Sequence, residues 1–195
     1  TSHESGGYRY DEEIAPGAAY EGRAVPGNVQ VGDGERYKGR GPIQVTGRSN
    51  YQQFTAWCLR TIGPTAPNFE ADPDAINTDP WEGLAPIWYW STRKLNRLAD
   101  ENNIEQITKK INGRLNGFAD RVDRYVRAGL VLAGFGPDEV EAFQVDARRA
   151  GLYDGELDND PGPKTRAAIH LYLSEMASKV GPVITVKPSP VVTEK

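Results

Sequence analysis

Apolar residues recur at helical spacing in several separate stretches of the chain. In residues 80–98 this stripe consists of Trp81, Leu84, Ile87, Trp88 and Leu95. Such a repeat of three to four positions is typical of one buried helix face. It predicts a helix from about residue 80 to 98, with the aromatic residues 88–90 in the core rather than on a ligand-binding surface.

Two further stretches also predict helices. Residues 44–60 have a helical pattern, with Thr46 or Ser49 as an N-cap. Residues 103–132 predict a helix, a turn and a second long helix. Because Asn-Gly occurs twice within residues 111–117 and both residue types tolerate left-handed backbone angles, a tight double turn is expected there.

The remaining stretches indicate loops and a boundary. Residues 1–10 are interpreted as a helix end broken by a glycine pair, and residues 14–42 as a Gly- and Pro-rich loop that could include a short hairpin. A glycine-proline break over residues 133–140 precedes a small unit predicted as three helices. Its apolar positions are Val140, Phe143, Val145, Ala147, Leu152, Leu157, Ala168, Ile169, Leu171 and Leu173.

Composition fits one mid-sized globular domain, or one domain with a small module. Hydrophobic residues make up 38% and charged residues 26% of the 195 positions, and the net charge is −4. Proteins that bind nucleic acid carry a clustered basic excess. The balance of 23 basic and 27 acidic residues therefore argues against a nucleic-acid partner.

Cys58 is the one cysteine of the chain, which excludes an internal disulfide and a multi-cysteine zinc site. It is interpreted as a small buried hydrophobic residue. No apolar run approaches the roughly 18–20 residues of a membrane span, and no signal peptide is recognised, so membrane insertion is not expected. Because the chain does not begin with Met, it is interpreted as a fragment or a module of a longer protein.

Glu4 and Glu13 lie nine positions apart in "HESGGYRYDEE", residues 3–13. Glycoside hydrolysis requires one protonated carboxylic acid and one carboxylate that either activates water or attacks the sugar. Partial burial at a helix end would favour the protonated form of Glu4, whereas Glu13 in a flexible acidic stretch would stay ionised. The competing interpretation is a set of solvated surface acids. Three acids compete with Glu13 for the second role: Glu12, Glu21 and Glu35.

The stretch "YKGRGPIQVTGRSNY", residues 37–51, alternates basic residues with glycines. Backbone amides beside basic side chains bind anions, but neither a P-loop nor a dinucleotide fingerprint is present. The alternative is a polar, aromatic wall for a carbohydrate, whose hydroxyls bind amides and whose C–H faces stack on rings. The residues of this wall are Tyr37, Gln44, Thr46, Asn50 and Tyr51.

These two stretches and "INGRLNGFADR", residues 111–121, together resemble glycoside hydrolase family 19 over roughly residues 1–132. That family holds plant-type chitinases and bacteriophage endolysins. The resemblance implies a mainly α protein, with a lysozyme-like helical domain and a catalytic cleft over residues 1–135. A small three-helix module over 138–177 and a tail over 178–195 would follow. The nine-residue gap between the acids is that of phage-type members.

The resemblance also implies a role for each matching residue. Glu4 would be the general acid, Glu13 the base that activates water, and Thr46 a side chain that helps to hold this water. The substrate-binding positions would be His3, Tyr37, Gln44, Asn50 and Asn112. The implied mechanism is an inverting displacement, with the carboxylates roughly 6.5–9.5 Å apart. No metal or organic cofactor is expected.

The chain departs from the family in two ways. It lacks the helix that normally precedes the His-Glu motif, and it lacks the disulfides of the plant members. A second stretch, "ARRAGLYDGELDNDPGPKTRAAIHLYL" at residues 147–173, resembles peptidoglycan-binding three-helix modules. Its "DNDPGP" replaces a more usual Asp-Gly-x-Phe-Gly run. The acids of this stretch, Asp154, Glu156, Asp158 and Asp160, could suggest a calcium loop, but the complete EF-hand pattern is absent and acidic turns are the simpler interpretation.

The expected function is that of an endolysin, a glycosidase that cuts the glycan backbone of bacterial peptidoglycan. It would be made in the bacterial host cytoplasm and act on the cell wall after release, with further lysin modules at either end of the chain. A chitinase acting on N-acetylglucosamine polymers is the alternative within the same class. A non-catalytic module of a virion or cell wall is the alternative from another class.

Overall fold

The computed structural model describes Glu4 and residues 9–180, and this part of the chain is mainly helical. Its helices are, in chain order, η1 (Ala18–Tyr20), α1 (Asp33–Arg36), α2 (Arg48–Thr61), η2 (Pro73–Asn77), α3 (Trp81–Thr92), α4 (Leu95–Asp100), α5 (Ile104–Asn112), α6 (Phe118–Leu132), α7 (Val140–Arg149) and α8 (Pro163–Val180), where η denotes a 3₁₀-helix. Among these residues, extended pairing is limited to isolated bridges from Arg40 to Glu12 and Val45. The predicted mainly α class is confirmed, and the helices are consistent with a lysozyme-like domain.

Contacts divide the chain into two compact units, Thr1–Arg121 and Val122–Lys195, so that the division falls within α6. A separable module over residues 138–177 stays a prediction. The helix end predicted for residues 1–10 lies outside the described residues except at Glu4, Arg9 and Tyr10. The first three residues of the tail predicted over 178–195 belong to α8, and the rest of it lies outside the described residues.

The core of the first unit is built on one face of α2. Tyr51, Phe54 and Cys58 follow one another at helical spacing, and all three are fully buried. The Phe54 ring centroid lies 4.7 Å from that of Phe69 and 5.3 Å from that of Trp88 in α3. The interpretations of Cys58 and Trp88 as core residues are therefore confirmed.

Two helix boundaries differ from their predictions. The helix predicted over 44–60 begins at Arg48, after Gly47, and neither Thr46 nor Ser49 caps it. The helix predicted over 80–98 is divided into α3 and α4, because Lys94 adopts a left-handed conformation (φ 53°). A non-glycine residue rarely adopts this conformation, and no glycine or proline marks the break.

The predicted double turn between α5 and α6 is confirmed. Gly113 and Gly117 both have a φ of 69°. Gly113 ends α5 as its C-cap, while at the other end of this helix the Asn103 side chain accepts a hydrogen bond from the backbone N–H of Gln106, at 3.0 Å. The turn therefore fixes where α5 ends, and with it the position of Asn112.

Arginine side chains hold the glycine-rich segment before α2 in place. Arg48 lies 2.5 Å from the buried carboxylate of Asp33 and 3.0 Å from that of Glu70. Hydrogen bonds from Arg48 hold the pKa of Asp33 below its usual range. Arg40 contacts Glu12 at 3.2 Å and Asp74 at 2.7 Å. These ion pairs give a segment with little regular structure a defined conformation.

The second unit has its own hydrophobic core, formed by α7, α8 and the second half of α6. Its buried residues are Val126, Leu130, Val140, Phe143, Ala147, Tyr153, Ala168 and Ile169. Residues 138–177, predicted as a three-helix unit, contain two helices, α7 and most of α8, so the prediction of a third helix within this range is wrong. The acidic turn residues are held by other side chains: Asp158 accepts a hydrogen bond from Gln144 at 2.9 Å.

Gly129 and Gly83 provide a matched pair of stability predictions. A β-carbon at Gly129 in α6 would lie 2.5 Å from Cγ2 of Ile169, whereas one at Gly83 in α3 would meet no atom within 4 Å. Gly129→Ala is expected to lower the free energy of unfolding by about 1–3 kcal/mol through overpacking. Gly83→Ala is expected to raise it by about 0.5–1 kcal/mol, because alanine favours helix. Urea unfolding measures both, and equal effects would contradict the close contact of α6 with α8.

A search of the described residues for a helix long and apolar enough to cross a membrane finds none.

Candidate active site

A pocket of about 370 Å³ in the first unit gathers most of the predicted site residues. Its lining residues are Glu4, Tyr20, Pro26, Ile43, Gln44, Thr46, Asn50, Tyr89, Ile111 and Asn112. Three separate segments of the sequence therefore meet at one pocket, which is the arrangement that the three motifs predict.

Glu4 is partly buried and forms an ion pair with Arg121 of α6. The distance from Nη2 of Arg121 to Oε1 of Glu4 is 2.5 Å, and Arg121 is only 8% exposed. A hydrogen bond between two charged groups is among the strong ones in proteins, so Arg121 fixes the orientation of Glu4. The sequence did not single out Arg121, although it is the last residue of the motif "INGRLNGFADR".

Both carboxylate oxygens of Glu13 accept hydrogen bonds. The hydroxyl of Tyr20 donates to Oε1 at 2.9 Å, and the backbone N–H of Gly39 donates to Oε2 at 3.0 Å. The backbone N–H of Glu13 in turn donates to the carbonyl of Gly39 at 2.8 Å. Burial and the contact with Glu13 raise the pKa of Tyr20. Since Tyr20 lines the pocket, it connects Glu13 with the site that contains Glu4.

The three competing acids have other places in the structure. Glu12 pairs with Lys38 at 3.0 Å and with Arg40 at 3.2 Å. Glu21 accepts the backbone N–H groups of two loop residues, Gly32 and Gly34, each at 2.7 Å. Glu35 is exposed on α1. Neither these three acids nor Glu13 lines the pocket. Glu13 differs from them in its hydrogen bond with Tyr20, which does line it, and its role as the second carboxylate stays a prediction.

Three of the predicted side chains converge beside Gly39. A β-carbon at Gly39 would lie 2.6 Å from Oε1 of Gln44 and 3.3 Å from both Oε2 of Glu13 and Oγ1 of Thr46. Thr46 Oγ1 also donates to the carbonyl of Gln44 at 3.0 Å, which leaves its lone pairs free to accept. Glu13, Thr46 and Gln44 thus present oxygen atoms to a common space that the missing side chain of Gly39 leaves open.

The pocket is also lined by the amide side chains of Asn50 and Asn112 and by the ring of Tyr89. Asn50 donates to the carbonyl of Thr46 at 2.7 Å and accepts from Arg93 at 3.2 Å. The guanidinium carbon of Arg93 lies 3.6 Å from the ring centroid of Tyr89. Asn112, the last residue of α5, donates to the carbonyl of Asn116 at 3.0 Å. These groups can bind sugar hydroxyls and N-acetyl groups. Tyr89 was predicted to lie in the core with its neighbours 88 and 90, but it is half-buried and lines the pocket.

Tyr37, one of the predicted substrate-binding residues, does not line this pocket, and neither does Tyr51, which was predicted for the same carbohydrate-binding wall. The side chain of Tyr37 is 1% exposed, belongs to the core of the first unit and donates its hydroxyl to the carbonyl of Glu70 at 3.0 Å. The structure therefore assigns Tyr37 to the core, because its ring packs against Tyr51 instead of facing the pocket. His3 lies outside the described residues.

Gln44→Ala and Asn112→Ala are expected to raise KM or lower kcat without unfolding the protein. Each change removes an amide that can bind the substrate, and a lost hydrogen bond to a neutral partner costs about 0.5–1.5 kcal/mol. Steady-state kinetics on soluble oligosaccharides, together with thermal unfolding, measure the two effects separately. A large fall in melting temperature for either variant would identify that residue as a brace of the loop or turn.

The pocket contains one carboxylate paired with a buried cation and several amide side chains, and a second carboxylate, that of Glu13, is bound to its lining residue Tyr20. Two carboxylates and amide groups are the components that a glycosidase site requires. The chain belongs to glycoside hydrolase family 19, because the family model described as "Chitinase class I" matches residues 2–144. All pocket residues fall within this match.

Individual relatives support the family assignment. A "Glycosyl hydrolase family 19 domain-containing protein" of Haemophilus influenzae is 37% identical over 118 residues, which cover 60% of this chain and 54% of that protein. "Endochitinase 2" of Gossypium hirsutum is 34% identical over 87 residues, 44% of this chain and 26% of that protein. An acidic endochitinase of Solanum chilense is 36% identical over 76 residues, 38% of this chain and 28% of that protein.

The chain spans about half the length of the first of these relatives and a smaller share of the plant ones. No solved structure matches the chain.

Proposed function

We propose that the protein hydrolyses a glycan of N-acetylated sugars by acid and base catalysis with inversion at the anomeric carbon. The observation that carries this proposal is the pocket itself. It contains Glu4 paired with Arg121, and Tyr20 links it to Glu13, whose Oε2 lies beside Thr46. Two carboxylates in different surroundings are what the two catalytic roles require.

In the proposed reaction Glu4 donates a proton to the glycosidic oxygen. Arg121 reaches Oε1 of Glu4, and we assign the proton transfer to the other oxygen, Oε2. When the proton leaves, the carboxylate that forms is stabilised by the guanidinium group. Glu13 accepts a proton from a water molecule that Thr46 helps to hold. The oxygen of this water attacks the anomeric carbon while the glycosidic bond breaks.

The proposed substrate is bacterial peptidoglycan, and the proposed role is that of an endolysin, made in the host cytoplasm and acting on the wall after release. The nine-residue gap between the two acids supports this branch of the family. The second unit has a compact core of its own, with a surface pocket of about 430 Å³ around Tyr153, Asp154 and Lys164. We propose that this unit helps to hold the enzyme on the insoluble wall, which raises its local concentration there.

Chitin is the second candidate substrate. It is favoured by the description of the family model and by the plant endochitinases among the relatives. Both substrates have N-acetylated sugars in the backbone, and both fit an amide-lined pocket, so the choice between them requires a direct test.

The test is digestion of purified peptidoglycan and of chitin oligomers by the full-length protein. Mass spectrometry of the peptidoglycan fragments identifies the sugar with the new reducing end, and NMR of freshly formed products shows the anomer. Loss of peptidoglycan with α-anomeric products supports the proposal. Turnover of chitin alone would make the protein a chitinase, and binding to both polymers without any turnover would favour the non-catalytic alternative. Glu4→Gln is the control for contaminating hydrolases.

A further inference from the structure

Tyr20 is the side-chain donor to Glu13, and it also lines the pocket that contains Glu4. Its hydroxyl binds Oε1, while the N–H of Gly39 binds Oε2. A carboxylate held at both oxygens cannot rotate about its last bond without losing a hydrogen bond. The contact with Tyr20 therefore determines which oxygen of Glu13 lies on the side of Thr46 and Gln44.

The segment around Tyr20 is built so that this tyrosine has a fixed position. Gly17, just before η1, has a φ of 80°, and a β-carbon there would lie 2.2 Å from the carbonyl oxygen of Gly34. Asn28 donates to the carbonyl of Tyr20 at 3.1 Å and accepts the backbone N–H of Arg48 at 2.9 Å. Tyr20 is thereby tied to the first turn of α2, the helix that follows the "GRGPIQVTG" segment.

We propose that Tyr20 is a positioning residue for the general base: it holds Oε1 of Glu13, so that Oε2 faces the space shared with Thr46 and Gln44. The proposal rests on the assignment of Glu13 as the base. Tyr20 takes no proton in the reaction and acts through Glu13 alone.

Other charged groups near Glu13 and Tyr20 are accounted for by contacts of their own. Arg23 lies over the Tyr20 ring, 5.8 Å from its centroid. On the segment paired with residues 12–13, Lys38 and Arg40 both contact Glu12. Across the pocket, Arg121 contacts Glu4. The Tyr20 hydroxyl is therefore the neutral side-chain donor whose removal changes the surroundings of Glu13 without changing a charge.

Tyr20→Phe tests the proposal, and Tyr172→Phe is its matched control. Tyr172 in α8 also donates its hydroxyl to a carboxylate, Asp146 at 3.0 Å, but it belongs to the second unit. On soluble N-acetylglucosamine hexamers, Tyr20→Phe is expected to lower kcat roughly 10- to 100-fold, the range for a lost hydrogen bond to a charged group. KM and melting temperature should change little. Tyr172→Phe should leave kcat, KM and melting temperature unchanged.

Combining Tyr20→Phe with Glu13→Gln separates failure of the proposal from failure of the base assignment. If Tyr20 acts through Glu13, Tyr20→Phe has little further effect on the residual rate of Glu13→Gln. An active Glu13→Gln protein would show that Glu13 is not the base. An inactive Glu13→Gln together with an unchanged kcat for Tyr20→Phe would overturn the positioning role. So would a Tyr20→Phe loss that is explained by a lower melting temperature, or that multiplies independently with the loss from Glu13→Gln.

Discussion

Glu4→Gln is expected to lower kcat on peptidoglycan or soluble N-acetylglucosamine oligomers by about 10²–10⁴-fold, the usual contribution of a general acid. The amide has the size of the acid, and its oxygen can still accept the hydrogen bond from Arg121 that Oε1 of Glu4 now accepts. It has no acidic proton to give to the leaving oxygen. The variant should therefore fold and bind substrate but release almost no product.

The chain offers a control of the same chemical type. Glu101 in the turn after α4 pairs with Arg97 at 2.7 Å on the surface, so Glu101→Gln also removes the charge of a glutamate bound to arginine. Exposed pairs of this kind contribute less than about 1 kcal/mol, and no change in kcat is expected. Kinetics and thermal unfolding of both variants give the comparison. Near-normal turnover by Glu4→Gln would exclude Glu4 as the acid.

Periodicity alone could predict the helical framework, because the apolar stripes that bury a helix face are local features of the sequence. Tyr51, Phe54 and Cys58 lie on such a stripe and are all buried. The break between α3 and α4 could not be predicted in this way. Lys94 adopts its left-handed conformation without a glycine or proline to mark it, so the stripe continues across a point where the helix does not.

Candidate site residues could be predicted from the sequence where they belong to one of the three motifs. Glu4, Glu13 and Asn112 come from three separate motifs, and the structure brings Glu4 and Asn112 to one pocket, with Glu13 bound to a residue that lines it. Residue type did not show which way a ring faces: Tyr37 lies within the carbohydrate-like stretch, yet its ring is in the core.

The hydrogen-bond partners of the two acids were not predicted from the sequence. Arg121 lies 117 positions from Glu4, and Tyr20 is bound to Glu13 through a loop with no helical or strand period. Such partners are chosen by tertiary packing, which leaves no periodic signal in the sequence. They bind the two acids that the motifs singled out. The motifs therefore indicated the candidate carboxylates but not the side chains that bind them.

Glu13→Gln is expected to reduce kcat nearly as much as Glu4→Gln, by about 10²–10⁴-fold. The glutamine oxygen can accept the hydrogen bond from the N–H of Gly39, and its amide can donate to the Tyr20 hydroxyl, so the loop should keep its conformation. A neutral amide cannot accept the proton of the attacking water. The loss should therefore appear in kcat, with substrate binding and melting temperature preserved.

Glu35→Gln, Glu12→Gln and Glu21→Gln form the comparison series for this prediction. Glu35 is exposed on α1 and should be silent, since it has no part in the pocket. Glu12→Gln weakens the ion pairs with Lys38 and Arg40. Glu21→Gln weakens the hydrogen bonds from the backbone N–H groups of Gly32 and Gly34. Both should therefore act mainly on thermal stability, and only mildly on kcat. If the largest loss of kcat after Glu4→Gln occurred at Glu21 or Glu35, the base would have to be reassigned to that residue, and the role given to Tyr20 would have no target.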